Sequence, residues 1–186
     1  MSVYLFVPFL MFLASLVITV MIFLCRNNRI YSGAVRGTRQ TVKMLLLDIR
    51  RAKETVHIVV DNPDDPILNH PRIVDELMLR SLEDVESLSQ PSHVEVVLPN
   101  PGDRRELPVV AMANYGNSNF RLHWVKKGQK LPNFWLIDGE TISGIRYSQN
   151  PRYPNSDLYE VEKGMSNLLS LEEDFMHYKV LATQAT

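Results

Sequence analysis

FWLIDGETISGIRY, residues 134–147, contains two apolar runs that meet at Asp138-Gly139. An Asp-Gly pair between apolar runs is a strong signal for a β-hairpin turn, because both residues tolerate the backbone angles that the turn requires. The stretch therefore predicts two antiparallel strands in the last third of the chain. DLYEVE, residues 157–162, predicts a further short strand after a proline-containing loop.

Upstream of this hairpin, strand-like runs alternate with helical patterns. The strand-like runs are TVHIVVD at 55–61, HVEVVLP at 93–99 and FRLHWV at 120–125. Periodic apolar residues predict helices over 41–53, 71–88, 105–115 and 162–181. Such alternation is typical of a sheet covered by helices on both faces, and crossover helices favour parallel pairing of the first three strands. We expect an α/β fold with a mixed sheet flanked by helices.

The overall composition excludes several classes of protein. The 186 residues carry 20 Lys and Arg against 21 Asp and Glu, a net charge of −1. This balance is not that of a strongly basic nucleic-acid binder. The single cysteine, Cys25, excludes an intrachain disulfide and a multi-cysteine zinc site.

The N-terminal segment differs sharply from the rest of the chain. Val3 to Leu24 is a run of 22 residues without a charged side chain, long enough to cross a bilayer as a helix. A cleaved signal peptide is the alternative, but no basic residue precedes the run and no small-x-small cleavage site precedes Cys25. We predict a transmembrane anchor over 1–25, a basic tether over 26–40 and a folded domain over 41–186.

The flanking charges predict the orientation of this anchor. Five basic residues follow the apolar run, and no acidic residue occurs before Asp48. They are Arg26, Arg29, Arg36, Arg39 and Lys43. Basic residues near a span tend to remain on the cytoplasmic side. We therefore expect a single-pass protein of the cell membrane, inner or plasma, with a cytoplasmic C-terminal domain. The same basic residues are candidates for contact with anionic headgroups of the lipid bilayer.

Several stretches of this domain resemble the phospholipase D-like superfamily. They are LLLDIRRAKETVHIVVD at 45–61, PILNHPRIVDELMLRSLEDV at 66–85, HVEVVLP at 93–99, FWLIDGETISG at 134–144, NSDLYEV at 155–161 and NLLSLEEDFMHY at 167–178. The likeness covers about residues 41–180 and is greatest for the small single-motif members, such as bacterial endonucleases and the membrane-anchored mitochondrial type. It implies a phospholipase D-like mixed sheet, preceded here by one transmembrane helix. It also implies a homodimer, since single-motif members usually pair two copies to build one site.

The catalytic residues of that family are largely absent. Its motif is His-x-Lys-x4-Asp, in which the histidine attacks phosphorus and the lysine neutralises the phosphoryl oxygens. Counting back from Asp138 places Leu131 and Asn133 at the histidine and lysine positions. The family's Gly-Ser-x-Asn falls near Gly144, with Tyr147 at the asparagine position, and Asp157 stands near a further acidic position. A leucine cannot act as a nucleophile, so the resemblance implies a domain that has lost this reaction.

Other side chains are candidates for a different chemistry. His57 and His123 each lie in the middle of a predicted strand, and their imidazoles would approach each other if those strands were neighbours. Either histidine is more simply interpreted as a core residue. An acidic loop with one imidazole follows the first of these strands and has oxygen and nitrogen ligands of the kind that divalent cations use: Asp61, Asp64, Asp65 and His70. A solvated loop is the simpler interpretation, and we assign no metal site and no cofactor.

The loop over 126–130 is the best candidate for an anion contact. It contains Lys126, Lys127 and Lys130, with Arg146 nearby in sequence on the predicted hairpin. Our leading hypothesis is a membrane-anchored, catalytically inactive domain that binds or assembles with a partner protein or a phosphate-bearing ligand. Nucleic acid is a less favoured ligand. The alternative is a divergent phosphodiesterase or nuclease that uses Asp138, His123 or His57.

Overall fold

The chain was analysed as a computed structural model, which divides it into two compact units, residues 1–30 and 31–186. The structure describes residues 15–16, 31–82, 92–100, 107–115, 118–138, 143–153, 155–164 and 168–183. In the first unit this leaves only the helical pair Ser15 and Leu16. The architecture below is that of the second unit.

Seven strands and four helices make up the described part of this unit. The strands are β1 (Tyr31–Arg36), β2 (Thr55–Val59), β3 (His93–Pro99), β4 (Phe120–Val125), β5 (Phe134–Ile137), β6 (Ser143–Gln149) and β7 (Leu158–Gly164). The helices are α1 (Gly37–Ile49), α2 (Pro71–Ser81), α3 (Pro108–Asn114) and α4 (Leu168–Thr183). The strand order in the single sheet is β1-β7-β6-β5-β2-β3-β4.

The sheet is mixed, as the sequence predicts. β2 pairs in parallel with β3, and β3 pairs in parallel with β4. β5 and β6 form the predicted antiparallel pair, and β5 adds to the free side of β2 in the antiparallel direction. The parallel half therefore carries the crossover helices, and the antiparallel half is built from sequential strands.

Two apolar clusters hold the layers together. The larger lies between the sheet and α1, α2 and α3, and contains Val56, Ile58 and Trp135 among its buried residues. The smaller lies on the opposite face, where Phe175 and Leu171 of α4 meet strand residues such as Val59. Because alternate residues of a strand point to opposite faces, β2 contributes to both clusters. The result is a three-layer arrangement with α4 alone on one face among the described elements.

The folded unit begins earlier than the sequence indicates. Tyr31–Arg36 pairs antiparallel with β7, with Tyr31 opposite Lys163 and Arg36 opposite Leu158. Gly37 then adopts φ 76°, a left-handed conformation that suits glycine, and α1 follows at once. The predicted tether over 26–40 is therefore wrong for residues 31–40, because sheet pairing orders a stretch whose composition is typical of a linker.

The boundaries of the other elements differ less from those that the sequence predicts. α1 starts at Gly37 rather than Thr41, and α4 starts at Leu168 because Leu158–Gly164 continues as β7. The predicted second helix ends at Ser81 within the described residues, and 83–90 lies outside them. The predicted span over 3–24 lies outside the described residues except for Ser15 and Leu16. In the described ranges, no helix has both the length and the apolar character needed to cross a membrane.

Candidate functional site

Leu131 and Asn133, the two positions that the resemblance aligns with the histidine and lysine of the family motif, lie in the segment that leads into β5. The Leu131 side chain is only 4% exposed and belongs to the apolar cluster beneath α4, with Val125 and Phe134. The backbone N–H of Leu131 donates to Oδ1 of Asp61 at 2.7 Å, and the backbone N–H of Asp61 donates to Oδ1 of Asn133 at 2.8 Å. This reciprocal pair fixes the segment against the end of β2. The Leu131 side chain thus packs in the core, and the Asn133 amide oxygen accepts a hydrogen bond from the backbone of Asp61.

Asp138, which the resemblance aligns with the aspartate of the family motif, directly follows β5. Its carboxylate accepts hydrogen bonds from three consecutive backbone N–H groups, those of Lys53, Glu54 and Thr55, the last at 2.7 Å. Lys53 and Glu54 precede β2 and Thr55 is its first residue, so Asp138 connects the turn after α1 to the start of this central strand. This geometry supports the interpretation of Asp138 as a structural residue.

The positions that correspond to the family's Gly-Ser-x-Asn lie on β6. A Cβ added at Gly144 would lie 2.7 Å from Cδ1 of Leu171, so glycine permits the close approach of α4 to the sheet. The Tyr147 side chain is buried, and its hydroxyl accepts a hydrogen bond from Nε1 of Trp135 at 3.4 Å. Burial raises the pKa of Tyr147 well above its ordinary value. Asp157 lies before β7, where its carboxylate faces Gly37.

The two strand histidines flank a glutamate that the sequence did not single out. β3 separates β2 from β4, so His57 and His123 are not on neighbouring strands. His57 is opposite Glu95 in the register, and Nε2 of His123 lies 3.0 Å from Oε2 of Glu95. Nζ of Lys179, from α4, lies 2.6 Å from the same oxygen. The four side chains form a polar cluster between the sheet and α4.

Charge and burial act differently within this polar cluster. Hydrogen bonding to His123 and Lys179 lowers the pKa of Glu95 to about 2, despite an opposing effect of burial. Burial lowers the pKa of His57, whose ring stacks on Phe175 with centroids 4.1 Å apart. Nδ1 of His57 is buried without a hydrogen-bond partner. His57 is therefore a neutral ring packed beneath a helix near neutral pH.

The acidic loop after β2 has structural partners of its own. Oδ1 of Asp65 accepts from the backbone N–H groups of Ile67 and Leu68, both at 2.8 Å. Burial raises the pKa of Asp65. His70 is the N-cap of α2, where its Nδ1 accepts from the N–H of Arg72. Among the described residues, no group of three or more His, Cys, Asp or Glu side chains is arranged to hold a metal ion.

The predicted anion-binding residues lie in one loop and on the strand β6. Lys126, Lys127 and Lys130 are exposed in the loop between β4 and β5, where Gly128 adopts φ 87°. Arg146 lies on β6, opposite Phe134 at the start of β5, the strand into which this loop leads. Its guanidinium is 3.4 Å from the Asp174 carboxylate of α4. The structure thus groups the three lysines in one loop and places Arg146 under the last helix.

Sequence reasoning missed Glu95 and Lys179. Glu95 interrupts the apolar run HVEVVLP, which was a visible signal for a strand position that needs a polar partner. Lys179 gave no comparable signal, since a lysine on an amphipathic helix is ordinarily solvated. Only the docking of α4 brings its Nζ to Glu95.

Solved structures that are similar to this chain include the following two. One is Nuc from Salmonella typhimurium, a phospholipase D family member, with a TM-score of 0.52 and 16% identity over 84% of this chain and 97% of that chain. The other is TrmBL2, an archaeal chromatin protein whose structure shows a novel mode of DNA binding, with a TM-score of 0.52 and 11% identity over 92% of this chain. The match spans 61% of the TrmBL2 chain. These similarities support a phospholipase D-like fold. No protein-family model matches the sequence, and no curated protein matches it.

Proposed function

We propose that this protein is a membrane-anchored phospholipase D-like domain that binds or assembles with other molecules and does not catalyse phosphodiester transfer. The observation that carries the proposal is the position of Leu131. It stands where the family has its nucleophile, and it is 4% exposed within the apolar cluster beneath α4. A hydrocarbon side chain held in a core offers neither a lone pair nor a proton to a phosphodiester.

The other two motif positions support the same conclusion. Asn133 carries no positive charge to stabilise phosphoryl oxygens, and its amide oxygen is engaged by the Asp61 backbone. The Asp138 carboxylate accepts three backbone N–H groups, which accounts for its presence without catalysis. Loss of a nucleophile alone lowers turnover by several orders of magnitude. A domain with this arrangement is better suited to binding than to hydrolysis.

The proposed anchor rests on the apolar run over 3–24 and on the basic residues that follow it. In this proposal the folded unit faces the cytoplasm at the cell membrane. The exposed loop with Lys126, Lys127 and Lys130 is the proposed contact for a phosphate-bearing ligand, because three ammonium groups within five residues attract phosphate. TrmBL2 shows DNA binding by a chain with a similar fold, which is why nucleic acid stays among the candidates. Pairing of two copies remains part of the proposal by resemblance.

A turnover assay tests the proposal. The full chain in detergent is incubated with a chromogenic phosphodiester and with short DNA, with divalent metal ions and with a chelator. We expect no turnover above the buffer rate. Turnover that Asp138→Ala abolishes, and that the exposed control Glu173→Ala preserves, would contradict the proposal.

The Glu95–His123 pair favours one alternative, a divergent phosphodiesterase. A carboxylate that hydrogen-bonds an imidazole orients that ring, as in many hydrolytic sites. The same assay distinguishes this function, since activity lost in His123→Ala but retained in Asp138→Ala would assign catalysis to the polar cluster. Lys179 on the same carboxylate oxygen and the stacking of Phe175 over His57 favour a structural role for the cluster instead.

A further inference from the structure

The outer surface of α1 combines positive charge with exposed leucine. Arg39, Lys43, Leu47 and Arg50 are exposed and fall within about 80° of the helix circumference, given 3.6 residues per turn. Leu47 is 56% exposed. The one acidic residue of α1, Asp48, is buried and lies 2.6 Å from Nζ of Lys163. The solvent-facing side of α1 is therefore cationic.

α2 extends this surface across a groove of about 510 Å³. Leu79 on α2 is 48% exposed and lines the groove together with Leu47 of α1. Lys43 and Arg72 also line it, from α1 and α2 respectively. Two exposed leucines thus share this groove with cationic side chains. We call this surface, formed by Arg39, Lys43, Leu47, Arg72 and Leu79, the basic–leucine face.

The acidic residues of the groove reduce its positive charge only in part. Glu76 accepts from Nε of Arg50 at 2.8 Å, and Nε of Arg80 lies 3.8 Å from its other oxygen. Asp75 lines the groove and is exposed. Three cationic residues of this face outnumber Asp75, namely Arg39, Lys43 and Arg72. The basic–leucine face therefore carries a net positive charge.

The length of chain between the apolar run and the folded unit limits where this face can lie. Six residues, 25–30, separate Leu24 from Tyr31, where β1 begins. Fully extended, six residues reach about 20 Å. β1 has six residues and leads directly into α1. On the proposed anchoring, the extended length of residues 25–30 is the upper limit for the distance between the end of the apolar run and the start of β1.

From these observations we infer that the basic–leucine face docks on anionic lipid headgroups of the bilayer in which the chain is anchored. Lysine and arginine attract anionic headgroups, and leucines among them enter the boundary between headgroups and acyl chains. The inference rests on the proposed membrane anchor and adds to it a fixed orientation of the domain. The face with α4, on the other side of the sheet, then points away from the membrane.

Depth-dependent quenching in vesicles tests this docking. The full chain, with Cys25→Ser as background, receives a fluorophore at Leu47→Cys or Leu79→Cys, and Met176→Cys on α4 serves as the control of 50% exposure. Each protein is reconstituted in vesicles of phosphatidylcholine with about one third phosphatidylglycerol and a lipid-borne nitroxide. We expect the labels at 47 and 79 to lose more than half of their emission and the label at 176 to keep nearly all of it. In vesicles of phosphatidylcholine alone, or in high salt, the loss should become several-fold smaller.

A charge-reversal pair tests the electrostatic part. Lys43→Glu with Arg72→Glu should abolish most of the quenching at Leu79→Cys, whereas Arg121→Glu with Arg152→Glu, the same change elsewhere on the surface, should not. Circular dichroism verifies that both variants fold. Equal quenching of all three labels, or equal quenching in both lipid mixtures, would overturn the docking.

Two further outcomes separate the docking from the anchor. Protein that floats with vesicles after alkaline extraction but shows no quenching at 47 or 79 overturns the docking and leaves the anchor intact. Protein that fails to float overturns both. Disulfide-linked dimers of Leu47→Cys, without quenching, would place a second copy of the chain on this face and would also overturn lipid docking.

Discussion

At the residue scale, Asp138 is a carboxylate with a structural role. Its carboxylate receives the N–H groups of Lys53, Glu54 and Thr55. We expect Asp138→Ala to lower the free energy of unfolding by about 1–3 kcal/mol, because these donors lose their acceptor. Asp138→Asn should cost less, since an amide oxygen still accepts. Urea denaturation measures the difference, with Glu173→Ala as the exposed control, and an unchanged stability of Asp138→Ala would contradict this role.

The lowered pKa of Glu95 leads to a prediction, also at the residue scale, about how stability depends on pH. Its partners lower its pKa from 4.5 to about 2, so the folded state favours the carboxylate form. The stabilisation is complete above pH 4.5 and is lost as the pH falls toward 2. We expect Glu95→Gln to cost about 1–3 kcal/mol at pH 7 and to flatten the fall in stability between pH 4.5 and 3. Urea midpoints across this range test it, and a Glu173→Gln control should keep the wild-type slope.

At the element scale, α4 depends on one aromatic side chain. Phe175 is fully buried and stacks on His57 with an interplanar angle of 3°. Phe175→Ala should cost about 3–5 kcal/mol, because it removes most of the apolar contact and leaves a cavity. Met176→Ala, at the next and exposed position, should change stability little. Hydrogen exchange along α4 should increase in the first variant alone, and equal protection in both would contradict the prediction.

The elements also show what local sequence can and cannot predict. The hairpin of β5 and β6 was readable because Asp138-Gly139 separates two apolar runs. β1 was not, because YSGAVR has neither an apolar alternation nor a β-branched run, and its extended form comes from six register pairs with β7. The polar cluster could not be predicted from local sequence for a similar reason. His57 and His123 were visible as strand residues, but only the strand order places Glu95 between them.

At the scale of the whole molecule, β1 defines where the folded unit starts. A chain beginning at Tyr31 keeps all seven strands that the structure describes, whereas one beginning at Thr41 loses β1 and exposes the edge of β7. We expect the first truncation to unfold cooperatively as a monomer or discrete oligomer, and the second to unfold at lower urea concentration and to aggregate. Size-exclusion chromatography and denaturation compare the two. Equal behaviour would show that β1 is dispensable.

The burial of Leu131 has a consequence for any attempt to place a histidine at this position. A histidine placed there would carry an imidazole into the apolar cluster beneath α4, and a lysine at 133 would remove the acceptor of the Asp61 N–H. The double replacement Leu131→His with Asn133→Lys would thus destabilise the domain. A histidine at 131 would become accessible only if the whole segment that leads into β5 were remodelled around it.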